Sequence, residues 1–165
     1  MHRQPEGLLA MARLPSPVGV LTAAVSAHGL ALLAFDEPDL GAVAERPDQR
    51  WLAQLSAELA AYWQDPAQGF GVPLDLQGTD FQRAVWSALT GIPTGSTCSY
   101  ADIARRVGRP AAVRAVGLAN GANPVAIVVP CHRVIGRDGS LTGYGGGLER
   151  KQILLRHEAP QRAFA

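Results

Sequence analysis

Cysteine is scarce in this chain of 165 residues: only Cys98 and Cys131 are present. Two thiols cannot staple a disulfide scaffold, and they suit a reducing, cytoplasmic setting. Histidine is sparse too. His2, His28, His132 and His157 are scattered without zinc-ligand spacing, so no structural metal is expected. No apolar run approaches the roughly 20 residues of a membrane-spanning helix, which predicts no membrane partner. The opening stretch MHRQPEGLLAMARLP carries Arg3 but no long apolar segment, and it predicts no secretory signal.

What is present is an ordinary globular composition, 47% hydrophobic and 18% charged, enough for one domain or two small ones. The net charge of +1 conceals an uneven distribution. Residues 1–78 hold four arginines against nine acidic groups, a balance of −5, whereas residues 79–158 hold ten basic groups against five acidic, a balance of +5. A basic half points toward a polyanionic partner, although surface fluctuation would produce the same numbers.

In the first half, VGVLTAAVSAHGLALLAF contains β-favouring runs broken at SAHG, which predicts a hairpin. From Asp48 as N-cap, QRWLAQLSAELAAYW sets Trp51, Leu52, Leu55, Leu59 and Tyr62 at helical spacing, and DPAQGFG stops that helix. VPLDLQG reads as a short strand or an extended linker. A second composition begins at Thr79, a cap for the helix TDFQRAVWSALTGIP with apolar groups at Phe81, Val85, Trp86 and Leu89. Ser99 caps SYADIARRV; the three-residue breaker GRP and the helix AAVRAVGLANG follow, a helix-turn-helix pattern. That second helix is built of small residues around one long polar side chain, Arg114. Such a bare face suits close approach to a nucleic acid, and equally a tightly packed core helix.

PVAIVV predicts a short buried strand that delivers Cys131 to a turn at its end. A thiol there is either a small buried hydrophobe or a nucleophile. The second role needs a base or a positive neighbour, and His132 and Arg133 follow at once. Glu158, closing the helix LERKQILLRHE, could orient the imidazole and so raise the thiolate fraction. Spacing alone leaves both readings open.

The blocks SYADIA, RAVGLANGANP, IVVPCHRVIG, LTGYGGG and ERKQILLRHE, in this order across residues 79–158, closely resemble the O6-alkylguanine-DNA alkyltransferases. The resemblance implies an α/β (α+β) chain: a small N-terminal α/β domain with linker at 1–78, then a mainly helical DNA-binding and alkyltransferase domain at 79–165. It implies a cytoplasmic monomer acting without cofactor on double-stranded DNA that contains O6-alkylguanine. By resemblance Cys131 accepts the alkyl group irreversibly, His132 acts through a water as base, Glu158 holds the imidazole, and Asn123 supports the turn before the cysteine. Tyr100, Val134, Tyr144 and Gly145 would line the guanine pocket. Arg114, Ala115, Gly117 and Tyr100 would meet DNA, with Arg114 filling the gap left by a flipped base.

Three departures stand out. Val113 replaces a frequent alanine, Gly145 replaces the serine of some members, and the N-terminal half lacks the zinc-binding Cys and His set of some relatives. Cys131 itself argues against relatives that only sense damage, which replace that cysteine. A helix-turn-helix regulator would want several base-reading side chains, and a thiol hydrolase would want an oxyanion site that the sequence does not display.

Overall fold

The computed structural model describes residues 3–162 and Phe164. The chain divides into two compact units, Met1–Gln77 and Gly78–Ala165.

In the first unit, strands β1 (Ala10–Leu14), β2 (Leu21–Val25) and β3 (Leu30–Ala34) form an antiparallel meander in the order β1-β2-β3. The hairpin at SAHG forms as the sequence predicts. Ser26 N–H donates to Gly29 O at 2.9 Å, and Gly29 has φ +151°, with Pro73 O packed 2.5 Å from where a Cβ would stand. No other residue fits there without displacing backbone. Strand β1 is an addition to the expected pair; its Ala10, Met11 and Ala12 are buried.

Helix α1 (Arg50–Gln64) buries Leu52, Leu55, Leu59 and Tyr62. Its cap is Gln49, not Asp48: the longer side chain curls back so that Oε1 accepts from Trp51 N (2.8 Å) and Leu52 N (3.1 Å). Trp51 is only half-buried and carries the Arg50 guanidinium 4.4 Å from its ring centroid. The VPLDLQG stretch is extended and pairs with β3 only through a Leu30–Leu74 bridge.

The second unit begins with α2 (Asp80–Thr90), entered through a reciprocal capping box between Thr79 and Gln82. Helix α3 (Tyr100–Arg106) is entered the same way through Ser99 and Asp102. Both caps satisfy backbone donors that the first helical turn would otherwise leave unpaired. Helix α4 (Val113–Gly121) starts two residues later than the sequence reading, and six residues, 107–112, separate it from α3 instead of three. Gly108 at φ +74° ends α3, Arg109 N–H reaches back to Ala104 O at 2.9 Å, and Ala112 N–H closes a further turn on Arg109 O. The Trp86 indole donates to Ala119 O at 2.8 Å and ties α2 to α4.

The predicted strand PVAIVV is the main correction. Val125, Ala126, Ile127 and Val129 are buried as expected, but residues 125–129 form a coiled turn, with Ile127 at φ +70°. Isoleucine rarely adopts that left-handed conformation, so neighbouring bonds must impose it. Asn123 supplies them: Oδ1 accepts from Val125 N (3.0 Å) and Nδ2 donates to Val129 O (2.8 Å), while Val129 N–H closes on Val125 O at 3.1 Å. Tertiary pinning thus overrides β propensity.

After Pro130, Cys131–Arg133 form one 3₁₀ turn, then β4 (Cys98–Ser99) and β5 (Val134–Ile135) pair in parallel. Helix α5 (Leu148–Glu158) closes the unit within the predicted bounds.

Candidate active site

The 3₁₀ turn sets the direction of the thiol and its two neighbours. On a strand, Cys131 and His132 would point to opposite faces; here the turn places Cys131, His132 and Arg133 all in the interior, 6%, 0% and 8% exposed. His132 Nε2 lies 3.0 Å from both Glu158 oxygens, across 26 residues of sequence. Arg133 takes the same carboxylate from the other side, Nε to Oε1 and Nη2 to Oε2, each at 2.8 Å. It is itself anchored to Ile92 O (2.7 Å) and Thr94 Oγ1 (3.2 Å).

This geometry sets the charges. Burial pushes the Glu158 carboxyl up, but hydrogen bonds and charge from Arg133 and His132 outweigh it and hold the group well below the usual carboxylate range. For His132 burial dominates and lowers the pKa, with Glu158 opposing, so the ring is neutral at pH 7. An anionic Glu158 only accepts, so Nε2 carries the proton and Nδ1 is the basic nitrogen. Nδ1 is buried and has no hydrogen-bond partner among the described residues.

The expected rise in thiolate fraction does not hold in the resting protein. Burial pushes the Cys131 thiol up, and Asn123, Lys151 and Tyr144 counter it only in part. Arg133 is bonded to Glu158, and the proton-bearing edge of His132 faces the same carboxylate.

Lys151 is the group that sequence reasoning missed. It is the single lysine of the chain, fully buried on α5, and its Nζ donates to Val134 O (2.7 Å) and Thr142 O (2.9 Å). It thereby joins β5 to the glycine-rich loop. Burial lowers its pKa to about 8, with the Cys131 charge opposing. A signal was available: Lys151, Leu154, Leu155 and Glu158 fall at i, i+3, i+4 and i+7, one face of α5, and all four are buried. Asn120 was also missed. Buried on α4, it donates Nδ2 to Cys131 O at 3.4 Å and connects that helix to the thiol turn.

The remaining expected residues divide into two groups. Tyr144 is close enough to hydrogen-bond the thiolate form of Cys131, Val134 is buried, and Tyr100 Oη lies 3.0 Å from Thr142 Oγ1. Gly145 is exposed on the loop. On α4, Arg114 and Ala115 are exposed, and Gly117 faces Tyr100, whose ring would lie 3.9 Å from an added Cβ.

Residues 80–160 match the family description "6-O-methylguanine DNA methyltransferase, DNA binding domain". The methylated-DNA–protein-cysteine methyltransferase of Mycolicibacterium paratuberculosis is 52% identical over 87% of this chain and 88% of that relative. This chain belongs to the same methyltransferase family. The Mycobacterium bovis methyltransferase is 49% identical, covering 88% of this chain and 89% of its own. A crystal structure of Mycobacterium tuberculosis OGT in complex with DNA superposes with a TM-score of 0.86 at 46% identity, covering 92% of this chain and 94% of that one. The Cys131 turn, the His132–Glu158 pair and the α3–α4 helix pair all lie within the matched residues.

Proposed function

We propose that this chain repairs O6-alkylguanine in duplex DNA by moving the alkyl group irreversibly onto Cys131. The observation that carries the reading is the basic edge of His132: a neutral imidazole, oriented by an anionic Glu158, with Nδ1 buried and unpartnered among the described residues, on the residue that directly follows a protonated thiol in the chain. A thiol at rest is unreactive; it becomes a nucleophile when its proton is taken at the moment of attack. Nδ1 accepts that proton through a bridging water, and Glu158, unable to neutralise while Arg133 holds it, stabilises the imidazolium.

The sulfur lone pair then attacks the O6-bound carbon. The S–C bond forms, the C–O6 bond breaks with its electrons passing to the purine, and the thiol's proton ends on the restored guanine. Lys151 and the Asn123 and Tyr144 side chains stabilise the negative sulfur in transit. A thioether does not leave under these conditions, and Cys98 is not among the groups acting on Cys131. Each molecule therefore reacts once.

The target carbon is out of reach inside a base stack, so the nucleotide must be extruded, at about a few kcal/mol. Helix α4 of the helix-turn-helix would enter the minor groove, with Arg114 in the vacated space and Tyr100 against the flipped nucleotide. The test is to incubate the protein with an oligonucleotide duplex containing O6-methylguanine and measure intact mass. A gain of one methyl group per molecule, mapped to Cys131, is expected; repeated turnover by unmodified protein, or label on Cys98, would refute it.

A further inference from the structure

Helix α4 presents two unlike faces. Val116, Ala119 and Asn120 are buried against the rest of the second unit. At 3.6 residues per turn, Arg114, Leu118 and Gly121 fall on the opposite side, at i, i+4 and i+7. Leu118 is 73% exposed, more than any other large apolar side chain among the described residues. With glycines at 117 and 121 beside it, the leucine stands above an otherwise low surface.

The surroundings decide what could cover it. From Ile103 to Arg137 there is no Asp or Glu, and Arg105, Arg106, Arg109 and Arg114 are all exposed. Arg105 is paired with Asp102, which leaves Arg106, Arg109 and Arg114 as the cations of this surface, and an apolar knob among arginines matches a polyanion with apolar sugar and base edges. Minor-groove proteins use leucine in this way, as a wedge between or against base steps. Along the helix Leu118 lies about 6 Å from Arg114, close to two base-pair steps.

We propose that Leu118 is a wedge that seats in the minor groove about two steps from the nucleotide replaced by Arg114 and makes repair depend on the flanking sequence. The inference rests on the reading above that α4 enters this groove. A guanine there projects its N2 amino group from the groove floor, which leucine would desolvate without offering an acceptor. A·T pairs at a pyrimidine–purine step lack that amino group and unstack readily.

The experiment measures methyl transfer from two duplexes, one with T-A and one with G-C two steps from the lesion, by wild type and Leu118→Ala, with free O6-benzylguanine as a substrate that needs no groove. Alanine keeps helix propensity. Wild type should prefer the T-A duplex about tenfold, the scale of one base-pair discrimination. Leu118→Ala should lose that preference, slow on the T-A duplex, and react with O6-benzylguanine at the wild-type rate. Three outcomes overturn the proposal: wild type indifferent to the flank, a variant that keeps the preference, or a variant equally slow with the free base. A wild type that transfers nothing from any substrate sinks the underlying reading as well, which separates the two failures.

Discussion

Arg133 and His132, neighbours in sequence, hold one carboxylate between them: Arg133 binds both Glu158 oxygens at 2.8 Å, and His132 Nε2 lies 3.0 Å from each. The ion pair keeps Glu158 charged, and the charged carboxylate fixes the tautomer of the ring. Replacing Glu158 with Gln retains the shape but lets an amide donor face Nε2. His132→Ala and Glu158→Gln should each slow transfer by about 10²-fold, the scale of general-base catalysis. The double variant should be scarcely slower than either, because the groups act as one unit. Single-turnover rates with O6-benzylguanine check this; unchanged rates in both single variants would remove the network from the mechanism.

Stability should fall with acid in two stages. His132 has its pKa lowered from 6.5, so the unfolded chain binds the proton first and stability drops as pH falls below 6.5 toward the folded value. Glu158 is lowered from 4.5; its contribution is complete above 4.5 and is lost as pH falls through the lower folded value. Urea midpoints recorded from pH 8 to pH 3 should show both limbs in wild type. Glu158→Gln should lose the second limb, and it should also be destabilised near pH 7 by about 3–5 kcal/mol, because Arg133 is left buried without its partner.

Lys151→Met keeps the apolar stem while removing the charge and both donors to Val134 O and Thr142 O. The Cys131 thiol should move further up, so the pH profile of its reaction with O6-benzylguanine should shift to higher pH. A variant that is slower at every pH with an unshifted profile would show that Lys151 only ties β5 to the glycine-rich loop.

Arg114→Ala separates base extrusion from chemistry. Transfer from duplex DNA should fall severely, by about 10²-fold or more if the side chain offsets a few kcal/mol of unstacking. Reaction with free O6-benzylguanine, which needs no flipping, should stay near wild type. Uniformly weaker DNA binding with a salt slope lower by about one would instead identify a phosphate contact.

Local rules sufficed wherever a short stretch decides its own conformation. The caps Thr79 and Ser99, the bounds of α5 and the hairpin at SAHG depend on residues within a few positions of one another, so they could be read from the sequence. Where such rules compete, the nearest pattern misled. Asp48 looked like a cap, yet Gln49 reaches the same donors, and GRP looked like a complete turn although Ala111 and Ala112 extend it.

The sequence by itself determined that a cysteine followed by histidine would stand at the end of a buried apolar run, with a glutamate on a later helix. Only the tertiary structure decided that this run coils around Asn123 with Ile127 in a left-handed conformation, that Arg133 serves Glu158 and not the thiol, and that the one lysine is buried and bonded to Val134 O and Thr142 O. The physical reason is that these outcomes are set by desolvation and by hydrogen bonds between distant segments. Arg133 bonds Ile92 across 41 residues and Glu158 across 25, and the cost of burying each charge depends on which of those partners arrives.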